Sequence, residues 1–337
     1  MTCDAGWKGR RLKSPPLYDA ILIDEGQDLV FDPEYKEHGV QPFYWMAYNF
    51  CKPVVKPATY PLLEPEDGSL EAKQDLRRLI WAYDEAQCLY SLAIPTAKEV
   101  FGESFSSLLQ GQYEGGIKRG MIMHRCYRTP GPILTAAHTI GMGLLREEGM
   151  ISGVTTKKDW EDLGYVVEGR FTSNSEIQLR RPTSNSPNPI PTISNHPSIE
   201  LKLFSDRRQE ALSIAKKILE DINTQKLMPS KQIMVIAFTK EAEQLIASNL
   251  NELGLNYYIP SEKNINIRNT PSREKKTNQF WHDGAVTISG IHRAKGNEAE
   301  MVYVIGLDEI AANEARLTHR NQLFVAMTRA KGSIFQS

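Results

Sequence analysis

Cysteine is scarce in this chain: Cys3, Cys51, Cys88 and Cys126 lie far apart among 337 residues, with no CxxC pair. Neither a disulfide framework nor a structural zinc site is indicated. The seven histidines never fall in an HExxH array, which removes the common zinc-hydrolase signature. Long apolar runs are missing too; no stretch approaches the roughly 20 residues of a membrane-spanning helix, so no membrane role is expected. The start, Met1-Thr2-Cys3-Asp4-Ala5-Gly6-Trp7-Lys8, carries no apolar signal region, and the cytoplasm is the expected compartment. Nor is one sign of charge in excess. With 40 Lys and Arg against 41 Asp and Glu the net charge is -1, a balance that neither suggests nor excludes nucleic acid, whose basic footprint can be confined to one groove.

What is present is a soluble composition, 41% hydrophobic and 24% charged, on a chain long enough for two domains. Residues 18–28 read as a short buried strand, Ile21-Leu22-Ile23, running into the acids Asp24, Glu25 and Asp28. Leu79–Tyr83 reads as a second strand ending in Asp84-Glu85-Ala86-Gln87, and Met121-Ile122-Met123 as a third leading into His124–Arg128. Each delivers polar residues at its C-terminal end, where open α/β sheets hold ligands. Thr172 to Ser198, rich in Ser, Asn and Pro, reads as an exposed, partly disordered insertion. Beyond it, strands at Ile199–Phe204, Ile233–Ala237, Val286–Ile288 and Met301–Ile305 alternate with helices through Glu210–Leu219 and Glu241–Leu253. That alternation predicts a doubly wound parallel sheet.

Asp24-Glu25-Gly26-Gln27-Asp28 supplies what a nucleoside triphosphatase needs: one carboxylate to hold magnesium through water and a neighbour to polarise the attacking water. Alone, it reads equally well as an acidic turn capping a helix. Four further blocks follow in order: Tyr83-Asp84-Glu85-Ala86-Gln87-Cys88-Leu89-Tyr90, His124-Arg125-Cys126-Tyr127-Arg128-Thr129, Val286 through Glu298, and Asn321 through Lys331.

Together the five blocks resemble the C-terminal two-thirds of a superfamily 1 helicase of the UvrD/Rep type. The resemblance makes Asp24 the magnesium carboxylate, with Gln27 beside it at the nucleotide, and Glu25 the catalytic carboxylate. Gln87 would contact the γ-phosphate and Tyr90 stack on a base of the strand. Tyr127 would pack on the adenine and Arg128 act as an arginine finger, with Cys126 standing where the family commonly has asparagine. His292 and Lys295 would face the nucleic acid, Gly296 would allow a close backbone approach, and Glu298 would bind the ribose. Asn297 replaces the usual leucine there, and Glu300-Met301 the usual phenylalanine region. Arg329 would neutralise charge on the transferred phosphoryl group, from an amphipathic helix bearing Leu323, Met327 and Ala330 on one face.

A motor of this family also needs a Gly-rich loop ending in Gly-Lys-Ser or Gly-Lys-Thr, yet none of the 23 glycines is followed by lysine. The resemblance therefore implies P-loop NTPase, RecA-like α/β sheets in two domains. The first, 1–119, would be truncated; the second, 120–337, would be complete, with a low-complexity insertion at about 172–198. It also implies ATP and Mg2+ as cofactors, single-stranded DNA or RNA as partner, 3′-to-5′ movement, a setting such as DNA repair, and a separate polypeptide carrying the phosphate loop. Two other readings stand beside this one. The chain is an inactive nucleic-acid-binding or interaction remnant, or Asp24, Glu25 and Asp28 serve a metal-dependent nuclease.

Overall fold

The computed structural model describes residues 16–37, 39–54, 77–84, 87, 89, 100–102, 111–112, 115–144, 155–172, 175–188, 196–260, 264–266 and 279–337. Two units emerge: Met1–Cys88 with Ala93–Met121, and Leu89–Leu92 with Ile122–Ser337. No helix among the described residues is long and apolar enough to cross a membrane.

In the first unit β1 (Ile21–Ile23) pairs in parallel with β2 (Leu79–Trp81), Leu22 opposite Ile80. Alternation along a strand sends successive side chains to opposite faces. Ile21, Ile23, Leu79 and Trp81 accordingly pack with Val40, Tyr44, Ala47, Val100 and Phe101, while Leu22 and Ile80 remain 69% and 60% exposed. Helix α1 (Pro42–Phe50) begins on a proline, whose missing N–H costs nothing at a helix start, and buries Tyr44 and Ala47. The Gln41 side chain, itself buried, clamps the preceding segment by bonding both the N–H and the C=O of Phe31 at 2.9 Å.

The second unit opens with α2 (Gly131–Gly141), α3 (Lys157–Asp162) and an antiparallel hairpin, β3 (Val166–Gly169) with β4 (Ile177–Arg180). Then follow β5 (Ile199–Leu201), α4 (Arg207–Thr224), α5 (Pro229–Gln232), β6 (Ile233–Ala237), α6 (Lys240–Glu252), β7 (Tyr257–Ile259) and β8 (Asn264–Asn266). β9 (Val286–Gly290), α7 (Ile291–Ala294), β10 (Ala299–Ile305), α8 (Leu307–Ala311), α9 (Leu317–Met327) and β11 (Ala330–Gln336) complete it. The sheet runs β5-β11-β10-β6-β9-β7-β8; six strands are parallel and β8 pairs antiparallel to β7.

All five residues of β6 are buried, as in a parallel sheet covered on both faces. On one face Val235, Ile288, Tyr303 and Phe335 pack on Ala211, Ile214 and Ile218 of α4 and on Ile246 and Leu250 of α6. Full burial of one such side chain is worth about 1.5–3 kcal/mol. Both helices start on caps: Asp206 accepts from the N–H groups of Arg208 and Gln209 at 2.9 Å, and Thr239 from that of Ala242 at 3.1 Å. Each cap contributes about 1 kcal/mol. Asp221 on α4 accepts from the Tyr303 hydroxyl and pairs with His196 at 2.8 Å, and burial drives the Tyr303 phenol far above its ordinary range.

Several sequence expectations change. Met121-Ile122-Met123 is not a strand; both methionines are 82% exposed, because an apolar triplet without flanking partners gains nothing from pairing. Residues 172–198 are not a bare insertion. β4 lies within them, and Ser186 and His196 are buried. The helix preceding Arg329 stops at Met327, so Ala330 opens β11 instead of extending an amphipathic stripe, and Leu323 through Met327 are all buried.

Candidate functional site

In the first unit the chain leaves β1 and turns at once. Glu25 takes a left-handed conformation, φ 51°, rare for a side chain with a Cβ and found where a structure over-determines it. What determines it is local: the Glu25 N–H donates to Asp24 Oδ1 at 2.9 Å, and the Gln27 side-chain amide donates to Glu25 Oε2 at 2.5 Å. Gln27, buried, accepts in turn from the Asp84 N–H at 3.0 Å, and Gln87 donates to Asp84 Oδ2 at 2.8 Å. The structure therefore brings four sequence-predicted residues together, Asp24, Glu25, Gln27 and Gln87, through Asp84. Gly26 is required by space: a Cβ there would stand 2.4 Å from the Tyr44 hydroxyl, which donates to the Gly26 carbonyl at 2.9 Å. Burial pushes the Tyr44 phenol up to about 12, so it stays a donor. Tyr90, with Glu85, Ala86 and Cys88, lies outside the described residues.

The second unit builds its site from widely separated segments. Thr129 follows Arg128 and donates through Oγ1 to the Thr328 carbonyl at 3.3 Å, a contact across 199 positions that fastens the Arg128 block to the Arg329 block. Glu298, at the entry to β10, pairs with Arg128 at 3.6 Å and with Lys331 at 3.3 Å. One carboxylate thus holds two cations at the N-terminal edge of β10 and β11. Arg128 also carries a buried Nε with no acceptor among the described residues, a donor suited to an incoming anion. Arg329 is buried; its Nε donates to the Val325 carbonyl at 3.0 Å and an Nη to Thr328 Oγ1 at 3.1 Å. Its side chain is bound against its own helix. Tyr127 is 61% exposed, and His292 is exposed on α7 with Lys295 half-buried behind it.

Gly296 holds φ 84°, a conformation that residues with a side chain rarely adopt, but no described atom lies within 4 Å of where a Cβ would stand. The glycine is thus needed for its backbone angle, and the expected close approach involves no described atom of the protein.

Two residues without a sequence signal shape this site. Arg181 donates to the carbonyls of Leu163 (2.9 Å), His124 (2.8 Å) and Asn185 (3.0 Å) and to Ser186 Oγ (2.6 Å), and lies over the Tyr165 ring. The Cys126 N–H donates to the Asn185 carbonyl at 2.9 Å, so this segment splints the Tyr127–Arg128 turn. Lys331 sits inside the last block, two residues beyond Arg329, where its charge was the only clue. Behind them His138 stacks on Phe324, its ring bonded to the Tyr165 hydroxyl at 2.8 Å. Burial, helped by the Arg181 charge, drops its pKa to about 3.

The described residues contain no group of three His, Cys, Asp or Glu that could hold a metal ion. They do fit a magnesium ion carried in on phosphate oxygens, since that ion keeps most of its waters and asks the protein for one or two carboxylates.

Residues 285–335 match the UvrD-like helicase C-terminal domain family. No curated protein matches the chain. Among solved structures, the C-terminal domain of a possible DNA helicase from Lactobacillus plantarum WCFS1 is similar over 42% of this chain and 71% of its own, at 15% identity and a TM-score of 0.27. Arterivirus nonstructural protein 10, a helicase in complex with DNA, is similar over 51% of this chain and 39% of its own, at 10% identity and a TM-score of 0.25. The matched span contains His292, Lys295, Gly296, Glu298 and Arg329, so it is over this stretch that the chain is similar to the C-terminal domain of UvrD-like helicases.

Proposed function

We propose that the chain supplies the magnesium carboxylate, the arginines and the strand-binding surface of an ATP-driven translocase on single-stranded DNA or RNA, moving 3′ to 5′. The observation that carries this reading is the convergence of the Arg128 and Arg329 blocks, tied by Thr129 and Thr328 beside Glu298 and its two cations. Residues 120–337 then act as a second RecA-like domain, doubly wound, and residues 1–119 as part of a first. A polypeptide outside these 337 residues contributes the Gly-Lys-Ser or Gly-Lys-Thr loop, and the exposed pair Leu22 and Ile80 offers it an apolar seat.

When bound, ATP with Mg2+ supplies the reactive phosphoryl group. Asp24 would hold the ion through water, and Glu25, fixed by Gln27, would orient the attacking water. Gln87 would reach the γ-phosphate. In the second domain Tyr127 would cover the adenine, Glu298 and Gly296 the ribose, and Arg128 and Arg329 the developing charge; Arg329 must first exchange its present acceptors for phosphate. His292, Lys295 and Tyr90 would contact the strand. The absence of any Gly-Lys pair favours a second reading, in which the chain binds nucleic acid without turning over ATP.

Fluorescence anisotropy of a labelled oligo(dT) with the full chain, across a salt series, tests the binding half that both readings share. Affinity should fall as salt rises, because phosphate contacts release counterions, and Tyr90→Ala should weaken it by about 1–3 kcal/mol. A strand that does not bind at low salt would sink both readings.

A further inference from the structure

The second unit contains a cavity of about 500 Å³, lined in part by the Val286–Glu298 block and in part by residues outside every block, Lys231, Met234, Phe280 and Trp281 among them. Phe280 and Trp281 form its aromatic wall, and Met234 of β6 and Thr287 of β9, registered partners on adjacent strands, line it together. Thr287 is buried, yet its hydroxyl has no hydrogen-bond partner among the described residues. An unpaired buried hydroxyl is costly, and such a group in a native structure calls for an explanation. Ser289, two residues on along the same strand, donates to the Gly290 carbonyl at 3.0 Å, so the strand can satisfy a hydroxyl where nothing else is asked of it. The Lys231 ammonium stands over one face of the Trp281 ring, 5.0 Å from its centre, which sets a cation against the aromatic wall and leaves the other face for stacking. Gly296 and Glu298 also line the cavity, joining it to the carboxylate that holds Arg128 and Lys331.

An aromatic wall, an unpaired hydroxyl and a lysine at one cavity match three features of a nucleotide: the flat base to stack, the base's heteroatoms to hydrogen-bond and the phosphate to neutralise. We infer that this cavity is a nucleotide-unit pocket, in which a nucleobase stacks on Trp281 and bonds the Thr287 hydroxyl while its phosphate meets Lys231. The inference rests on the proposed nucleic-acid and nucleotide function and adds to it a pocket whose described lining does not include Tyr127. The shared chemistry has two sources, a free nucleotide and one unit of a bound strand.

Two probes separate them: labelled oligo(dT) and a fluorescent ATP analogue with Mg2+, each titrated against the full chain as wild type, Trp281→Ala and Thr287→Val. The pocket predicts that Trp281→Ala loses about 5- to 150-fold in affinity for one probe, the range of base–aromatic stacking. Thr287→Val should lose about tenfold for the same probe with a melting temperature equal to or above that of wild type, because an unpaired buried hydroxyl has been removed. Loss for oligo(dT) assigns the pocket to the strand, and loss for the ATP analogue to the free nucleotide. Wild-type affinity for both probes in Thr287→Val and Trp281→Ala overturns the pocket and leaves the proposed function standing. Binding of neither probe by wild type overturns both.

Discussion

The two units solve the same problem, holding polar chemistry at the end of a strand, with very different means. In the second, Glu298 and Arg329 flank two of the six parallel strands of a seven-stranded sheet whose interior residues are buried on both faces. In the first, Asp24 and Glu25 leave a sheet of two described strands that the described residues cover on one face, and their positions depend on Gln27, Asp84 and the Tyr44 hydroxyl. Apolar burial fixes one site and a few polar contacts fix the other. The first should therefore yield to small steric or polar changes that the second would absorb.

Four substitutions or conditions probe that contrast. The largest effect belongs to Ile236→Ala in β6, at a fully buried position: about 2–5 kcal/mol lost in denaturant unfolding of the full chain. Acid comes next. His138 has a folded pKa of about 3 against an ordinary value near 6.5, so below about pH 6.5 the unfolded chain binds a proton that the folded one refuses. Its contribution is complete above pH 6.5 and drains away as pH falls toward 3, on the order of a few kcal/mol; chemical unfolding at pH 7, 5.5 and 4 should show that slope, and His138→Phe should flatten it.

Gly26→Ala should cost about 1–3 kcal/mol in the first unit, because the new methyl meets the Tyr44 oxygen, and adding Tyr44→Phe should recover part of the loss. A double mutant no better than the single would remove the steric explanation. The smallest effect is expected for Leu22→Ala, within about 0.5 kcal/mol of zero in the isolated chain, as for other exposed positions. A cost of several kcal/mol there would mean that the β1 face is covered after all.

The same contrast decides what could be read from the sequence. Ile233–Ala237 and Met301–Ile305 were legible because strands buried on both faces are continuous apolar runs, and α4 and α6 because their apolar residues recur at helical spacing. Met121–Met123 looked alike over three residues and is exposed coil; so short a run carries no period. β11 was hidden by Lys331, Gly332 and Ser333, and β3–β4 by the polar, proline-rich stretch around them. At the candidate site, residue types in order pointed to Asp24, Glu25, Gln87, Arg128, Glu298 and Arg329 as proposals, but nothing local marked Arg181, whose bonds reach Leu163 and His124. Partners so distant in sequence are set by the fold, and so is the turn of Arg329 back onto its own helix.

The most direct test of the account is ATP hydrolysis in magnesium by the full chain mixed with a polypeptide that supplies the Gly-Lys-Ser or Gly-Lys-Thr loop, with and without oligo(dT). The account predicts turnover that the strand accelerates and that Glu25→Gln and Arg128→Ala each abolish. Turnover indifferent to the strand and to both substitutions would contradict it.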